Sequence, residues 1–210
     1  MSQLVACCFP GGVLLAADRR VAVELRGEPQ VHSVRKLFLL GSTAAVATSG
    51  AAVGIAVSRN LHRFFRGRAS PHLEDLDAYA LSVFQKEYRE FVRQGESWFR
   101  INPYAHRLSY VLLAGCEGTG AHTFRFHASE AHHEPYRLLA TGAVLTAPRR
   151  LGLEARLGRA LAEGTGGDAL VALVLEGLRV IGRKEEAVGP PFDWCLIRGA
   201  GATEGTEEGG

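Results

Sequence analysis

The first fifty residues contain strand patterns and no helix pattern, and this constrains the fold more than any other feature of the chain. Residues 3–9, QLVACCF, form a short apolar stretch, and Pro10-Gly11-Gly12 is a turn signal. Residues 13–18 resume as a second strand, so a hairpin is expected. Residues 36–40 and 44–48 repeat the pattern around Gly41-Ser42. The period then changes. Over residues 51–65, Val53, Val57, Leu61 and Phe64 or Phe65 fall on one helical stripe, with Pro71 as a stop. A second helix is expected over 73–93, where Leu76, Tyr79, Val83, Phe84, Tyr88, Phe91 and Val92 keep near-helical spacing. Strands are expected over 108–114, 121–127 and 136–140, and helices over 146–163 and 167–183. A last strand over 192–197 follows Gly189-Pro190-Pro191.

That order is strands, two helices, strands, two helices, strand. It lacks the alternation of a doubly wound parallel sheet. Two antiparallel sheets stacked face to face, each covered by a helix pair, would bury these elements. The expected fold class is therefore α+β, a four-layer αββα sandwich. At 210 residues the chain suits one domain, taken as 1–198. The tail 199–210, GAGATEGTEEGG, has nothing to bury and is expected to be disordered.

Composition narrows the function classes. Apolar residues at 47% and charged residues at 22% exclude global disorder. The longest apolar runs, 37–40 and 169–175, fall far short of the roughly 18 residues that span a bilayer, so no membrane is expected. A net charge of +2 gives no broad basic field, and no nucleic acid is expected as a partner. Of 24 basic residues only Lys36, Lys86 and Lys184 are lysine, so a lysine in a site stands out. Cys7 and Cys8 are adjacent and should point to opposite faces of a strand. With Cys116 and Cys195 they form no CxxC, so no metal is expected. The start, MSQLVACCFPGG, is unlike a signal peptide, and a reducing cytoplasm with free thiols fits.

Ser2 is the first candidate for chemistry. Methionine before a small residue is normally removed, which would leave a free α-amino group beside the Ser2 hydroxyl. That amine has a reference pKa of about 7.7–8, so nucleophile and general base would occupy one residue. Other constellations have bland readings. His122, His127, His132 and His133 are expected in a solvated hairpin loop, although His127 and His133 could meet across a turn on a metal. The arginine-rich RNLHRFFRGR is read as a solvated helix face or subunit contact. Cys7 is read as a buried strand residue.

Three further segments follow Ser2: GGVLLAADRRVAV, then HSVRKLFLL, then AVATSGAAVG. Together they resemble the β-type subunits of the proteasome and the bacterial proteasome-like peptidases, within the N-terminal nucleophile hydrolases. The resemblance continues through LSYVLLAGCE, YRLLATG and FDWCLI, over roughly residues 2–198. It implies Ser2 as nucleophile, Asp18 and Lys36 as the aspartate and lysine of the site, and the Gly50 N–H as an oxyanion donor. Lys36 and Gly50 are 14 residues apart, as in the family. Outside the resemblance, Asp18 reads as a turn residue, Lys36 as a surface lysine and Gly50 as a strand-to-helix turn. Carried over by position, Val21, Val34, Thr48 and Ala52 would line a substrate pocket for an apolar side chain. The family's supporting serines fall on Ala143 and Val188, which have no hydroxyl, and its supporting aspartate falls on Glu185. The loop 21–35 is about two residues longer than in the family. No cofactor is implied. The implied partners are further copies in a ring, an ATP-dependent unfoldase, and a peptide or protein substrate. Two other readings stay open: a catalytically inactive assembly subunit, and a narrow-specificity amidohydrolase of small molecules.

Overall fold

Strand β2, Gly12–Asp18, is buried along its whole length, so apolar partners cover both faces of its sheet. The computed structural model describes all residues except 1, 26–27, 103–107, 131–132, 141, 200 and 210. Among the described residues it is a mixed α+β architecture with five helices and three antiparallel sheets. The first sheet has the order β10-β1-β2-β11-β12: Val144–Ala147, Leu4–Phe9, Gly12–Asp18, Phe192–Arg198 and Gly201–Glu207. The second has the order β5-β6-β7-β8-β9: Leu37–Leu39, Ala44–Gly50, Ser109–Cys116, His122–Glu130 and His133–Leu138. A two-stranded hairpin, β3 (Arg20–Leu25) and β4 (Glu28–Ser33), is separate.

Strand periodicity sorts the side chains into three cores. Leu4, Ala6, Val13, Leu15 and Ala17 pack with Ala45, Ala47, Leu112, Ala114, Phe124 and Phe126 of the other five-stranded sheet. The alternate residues Val5, Cys7, Leu14 and Ala16 pack under α4 (Leu151–Ala162) and α5 (Gly167–Gly182), with Leu157, Leu170 and Val174. On the second sheet, Ala44, Val46, Val111 and Leu113 pack under α1 (Val53–Phe65) and α2 (Leu73–Gln94). Cys7 and Cys8 do face opposite sides: Cys7 lies in the core under the helices, and Cys8 packs against the core between the sheets. Burial pushes the Cys7 thiol well above its usual pKa. Helix α2 carries Glu74 and Asp75 in its first turn and Arg93 in its last, matching the helix dipole.

Four elements differ from the sequence expectation. The tail, expected to be disordered, forms β12 and pairs with β11 from Gly201 to Glu207. The edge of β11 offers unpaired backbone groups, and this segment satisfies them with Ala202 as its one apolar contact with the core. The loop 21–35 holds the β3–β4 hairpin. The helix expected from 146 begins at Leu151, because residues 144–147 pair with β1 and Pro148 cannot supply the N–H that helix continuation needs. A short helix, α3 (Glu96–Ile101), follows α2. The hairpin β1–β2, α1, α2, α5 and β11 match within a few residues.

His127 is a further correction. It lies on β8 and is fully buried, where a solvated loop was expected. Its Nε2 approaches Asp77 Oδ1 of α2 at 2.9 Å. Arg137 of β9 sits 3.2 Å from Asp77 Oδ2, and Arg125, which pairs with Glu117, sits 3.9 Å from it. The His127 Nδ1 has no hydrogen-bond partner among the described residues. His132 lies outside the described residues. Burial holds the His127 pKa below the usual imidazole value, against the pull of Asp77. The unfolded chain therefore takes up this proton at a higher pH than the folded one. Stability that is present above the unfolded value of about 6.5 is lost as the pH falls below it. The urea midpoint is expected to drop between about pH 7.5 and pH 5, and His127→Gln is expected to flatten that drop.

Candidate active site

Three stretches of chain, around Ser2, around the β2–β3 junction and around Lys36, converge on one ammonium group. Lys36 precedes β5, Asp18 ends β2, Arg20 opens β3, and Ser2 precedes β1. The Lys36 Nζ donates to Ser2 Oγ at 2.5 Å, to the Arg20 carbonyl at 2.5 Å and to Asp18 Oδ2 at 3.1 Å. An ammonium has three donors, and here each has an acceptor. The Ser2 hydroxyl in turn donates to the Arg20 carbonyl at 3.3 Å. The other oxygen of Asp18 accepts the Gln3 backbone N–H at 2.7 Å. One carboxylate therefore fixes both the lysine and the peptide unit next to Ser2.

This pair is removed from solvent. Lys36 is 2% exposed and Asp18 is 0% exposed. Lys36 is therefore not the surface lysine of the bland reading. Burial lowers the Lys36 pKa, with Asp18 pulling against it. Burial raises the Asp18 pKa, against Lys36 and the Gln3 N–H. Such a pair persists only because each charge has its partner in place.

The other expected residues lie at graded distances. The Thr48 N–H donates to the Lys36 carbonyl at 3.1 Å, so β6 runs beside Lys36, and Gly50 ends that strand. The φ of Gly50 is +89°, and a Cβ there would lie 2.2 Å from the Leu108 carbonyl oxygen, so glycine is required. Glu185 does not reach Ser2 directly. It takes a two-pronged ion pair from Arg150 at 2.5 Å. The Arg150 Nε donates to Gln3 Oε1 at 2.9 Å, and Gln3 Nε2 donates to the Pro148 carbonyl at 2.9 Å. Glu185 thus acts on Gln3, the residue beside Ser2, through one intervening side chain, Arg150.

Val188 is fully buried in the core under α4 and α5. Ala143 is a correction. The Cys8 N–H donates to its carbonyl at 2.7 Å, and β10 runs antiparallel to β1 with Leu4 opposite Ala147 and Cys7 opposite Val144. Ala143 therefore lies at the far end of β1, about 20 Å from Ser2 at some 3.4 Å per residue. The part of this segment that comes to the Ser2 end is Ala147–Pro148. Counting along the chain misplaced it because residues 144–147 form a strand.

The four expected pocket residues are spread around the same end. Val21 and Val34 are half-buried on either side of the β3–β4 hairpin, and Val34 N–H donates to the Arg19 carbonyl at 2.8 Å. Thr48 is buried, and its hydroxyl accepts from Ser58 at 3.2 Å. Ala52 is exposed just before α1. Two open clefts lie elsewhere. One of about 490 Å³ is lined by Cys8, Ala143, Val144 and Leu161, and one of about 540 Å³ by Arg63, Phe64, Tyr79 and Lys86. Among the described residues no group of three or more His, Cys, Asp or Glu could hold a metal ion.

Sequence reasoning missed Gln3, Arg150 and the Arg20 carbonyl. Gln3 left a faint signal, since it is the one polar residue opening an apolar strand. Arg150 and a backbone carbonyl left none. No family model matches the chain, and no curated protein matches it.

Asp18→Asn would leave Lys36 buried without a counter-charge, and is expected to cost about 3–5 kcal/mol of stability in urea denaturation. Gly50→Ala, forced into a left-handed backbone against a carbonyl, is expected to cost at least about 1–2 kcal/mol by the same measurement.

Proposed function

We propose that this chain is an N-terminal nucleophile amide hydrolase resembling a proteasome β-type subunit, acting in the cytoplasm on peptide or protein substrates. One observation carries the reading: the buried Lys36 ammonium rests on Ser2 Oγ, Asp18 and the Arg20 carbonyl at once. The three cores support a four-layer αββα reading, with α1 and α2 outside one sheet and α4 and α5 outside the other. Among the described residues no helix is long and apolar enough to cross a membrane.

In this mechanism removal of Met1 frees the Ser2 amine. That amine takes the hydroxyl proton as Oγ bonds to the substrate carbonyl carbon. Lys36 lowers the cost of negative charge on Oγ, and Asp18 holds Lys36 in register. The Gly50 N–H answers the charge on the former carbonyl oxygen. Collapse of the tetrahedral intermediate breaks the C–N bond, and the protonated amine gives its proton to the leaving group. Water, deprotonated by the same amine, then attacks the ester and regenerates Ser2. Glu185, through Arg150 and Gln3, holds the peptide next to the nucleophile. The reaction draws only on groups of the chain, and ring assembly with further copies and an unfoldase would supply protein substrates.

The test is intact-mass spectrometry of natively expressed protein before and after a β-lactone or epoxyketone probe. A chain without Met1 should gain one probe mass. Ser2→Ala should gain none, and Lys36→Ala should label at least about 100-fold more slowly. A chain that keeps Met1, or loses it and stays unlabelled, would replace this reading with an assembly subunit. Val188, which offers no hydroxyl to the amine, is the feature that favours that outcome.

A further inference from the structure

The residues on the chain next to both members of the buried pair are held by the C-terminal strand. Arg19 follows Asp18, and Arg35 precedes Lys36. Arg19 grips Asp193 with a fork, Nε to Oδ2 at 2.7 Å and NH2 to Oδ1 at 2.6 Å. The Thr206 hydroxyl of β12 closes the triangle, donating to Asp193 Oδ1 at 2.8 Å and accepting from Arg19 at 3.1 Å. Asp193 is nearly fully buried, while Arg19 is partly exposed and Thr206 is exposed, so the triangle ties a buried carboxylate to the surface strand. Arg35 donates to Glu204 of β12 at 2.7 Å and to the Leu37 carbonyl at 2.8 Å. The Arg35–Glu204 pair is half-exposed and weaker than the triangle. A small cavity of about 130 Å³ lies between these contacts, lined by Arg35, Leu37, Asp193 and Thr206 among others.

We propose that β12 is a clasp that positions the Asp18–Lys36 pair, with Thr206 acting through Asp193 and Arg19, and Glu204 acting through Arg35. The inference rests on the hydrolase reading for its consequence in catalysis, and on geometry alone for its effect on Lys36. Thr206, Asp193 and Glu204 are positioning residues, since none of them touches Ser2. Asp193 also lies within electrostatic reach of Lys36 and favours its charged form. The clasp explains a placement that composition does not. A Gly/Glu segment whose one apolar side chain against the core is Ala202 is held by Trp194 packed over Gly205 and by the Arg179–Glu207 ion pair at 2.5 Å.

Two readouts on the full chain test this. The first is the rate of Lys36 acetylation by acetic anhydride across pH, read by peptide mass spectrometry. The second is the rate of Ser2 acylation by the β-lactone. In Thr206→Val/Glu204→Gln, Lys36 should acetylate about tenfold faster at mild alkaline pH, and Ser2 acylation should fall by about tenfold, with half-saturation unchanged. Thr206→Ser should match the wild type in both. Wild-type Lys36 reactivity in the double variant would overturn the clasp, as would Thr206→Ser behaving like Thr206→Val. A wild-type chain that never labels at Ser2, yet shows the Lys36 change in the double variant, would overturn the hydrolase reading and keep the clasp.

Discussion

An ammonium group that is 2% exposed must have its charge answered inside the protein, and the first forty residues are arranged around that requirement. Lys36 has three protons to place, and its three acceptors come from two parts of the chain, Ser2 and the Asp18–Arg20 segment. Losing any of them would leave a buried donor or charge uncompensated. The β1–β2 hairpin supplies Ser2 and Asp18 at one end, since Leu4 pairs with Ala17. The same carboxylate then takes the Gln3 N–H, so hairpin register and ion-pair geometry are set by one group. A one-residue slip of β1 would turn its core residues to the wrong face and carry Ser2 away from Lys36.

The apolar cores place this polar cluster at their margin. Leu4, Ala17 and Leu37 belong to the core between the sheets, and they are near neighbours in sequence of Ser2, Asp18 and Lys36. The dry interface therefore ends at the cluster, which explains how a lysine and an aspartate become buried without lying at the centre of the molecule. Around the cluster, arginines are tethered to carboxylates. Arg19 holds Asp193, Arg35 holds Glu204, and Arg150 holds Glu185. Several positive charges can then sit near Lys36 without unanswered repulsion.

Much of this was legible from residue patterns, and the failures have physical causes. The β1–β2 hairpin and the helices α1, α2 and α5 announce themselves because apolar spacing directly reflects which faces are buried. Ser2, Asp18 and Lys36 were expected from the AADRR and KLFLL segments, and the structure brings the three together. The Arg20 carbonyl carries no side-chain signature. The Arg150–Gln3 contact links residues 147 apart, which no local pattern encodes. Strand β10 was hidden because VLTA also suits the start of a helix, and only its pairing with β1 decides the matter. Strand β12 was hidden because composition reports what a segment can bury and is silent on what backbone pairing an open sheet edge offers.

That last strand has a bearing on solubility. Without it, β11 would be the sheet boundary, and its FDWCLI run would present unpaired backbone beside Trp194, Cys195, Leu196 and Ile197, an invitation to intermolecular pairing. With it, the boundary is GATEGTE, whose glycines weaken strand order and whose Glu204 and Glu207, each ion-paired to an arginine, put charged rather than apolar side chains on the open edge. The Gly/Glu end of the chain thus serves as a gatekeeper against strand-to-strand aggregation.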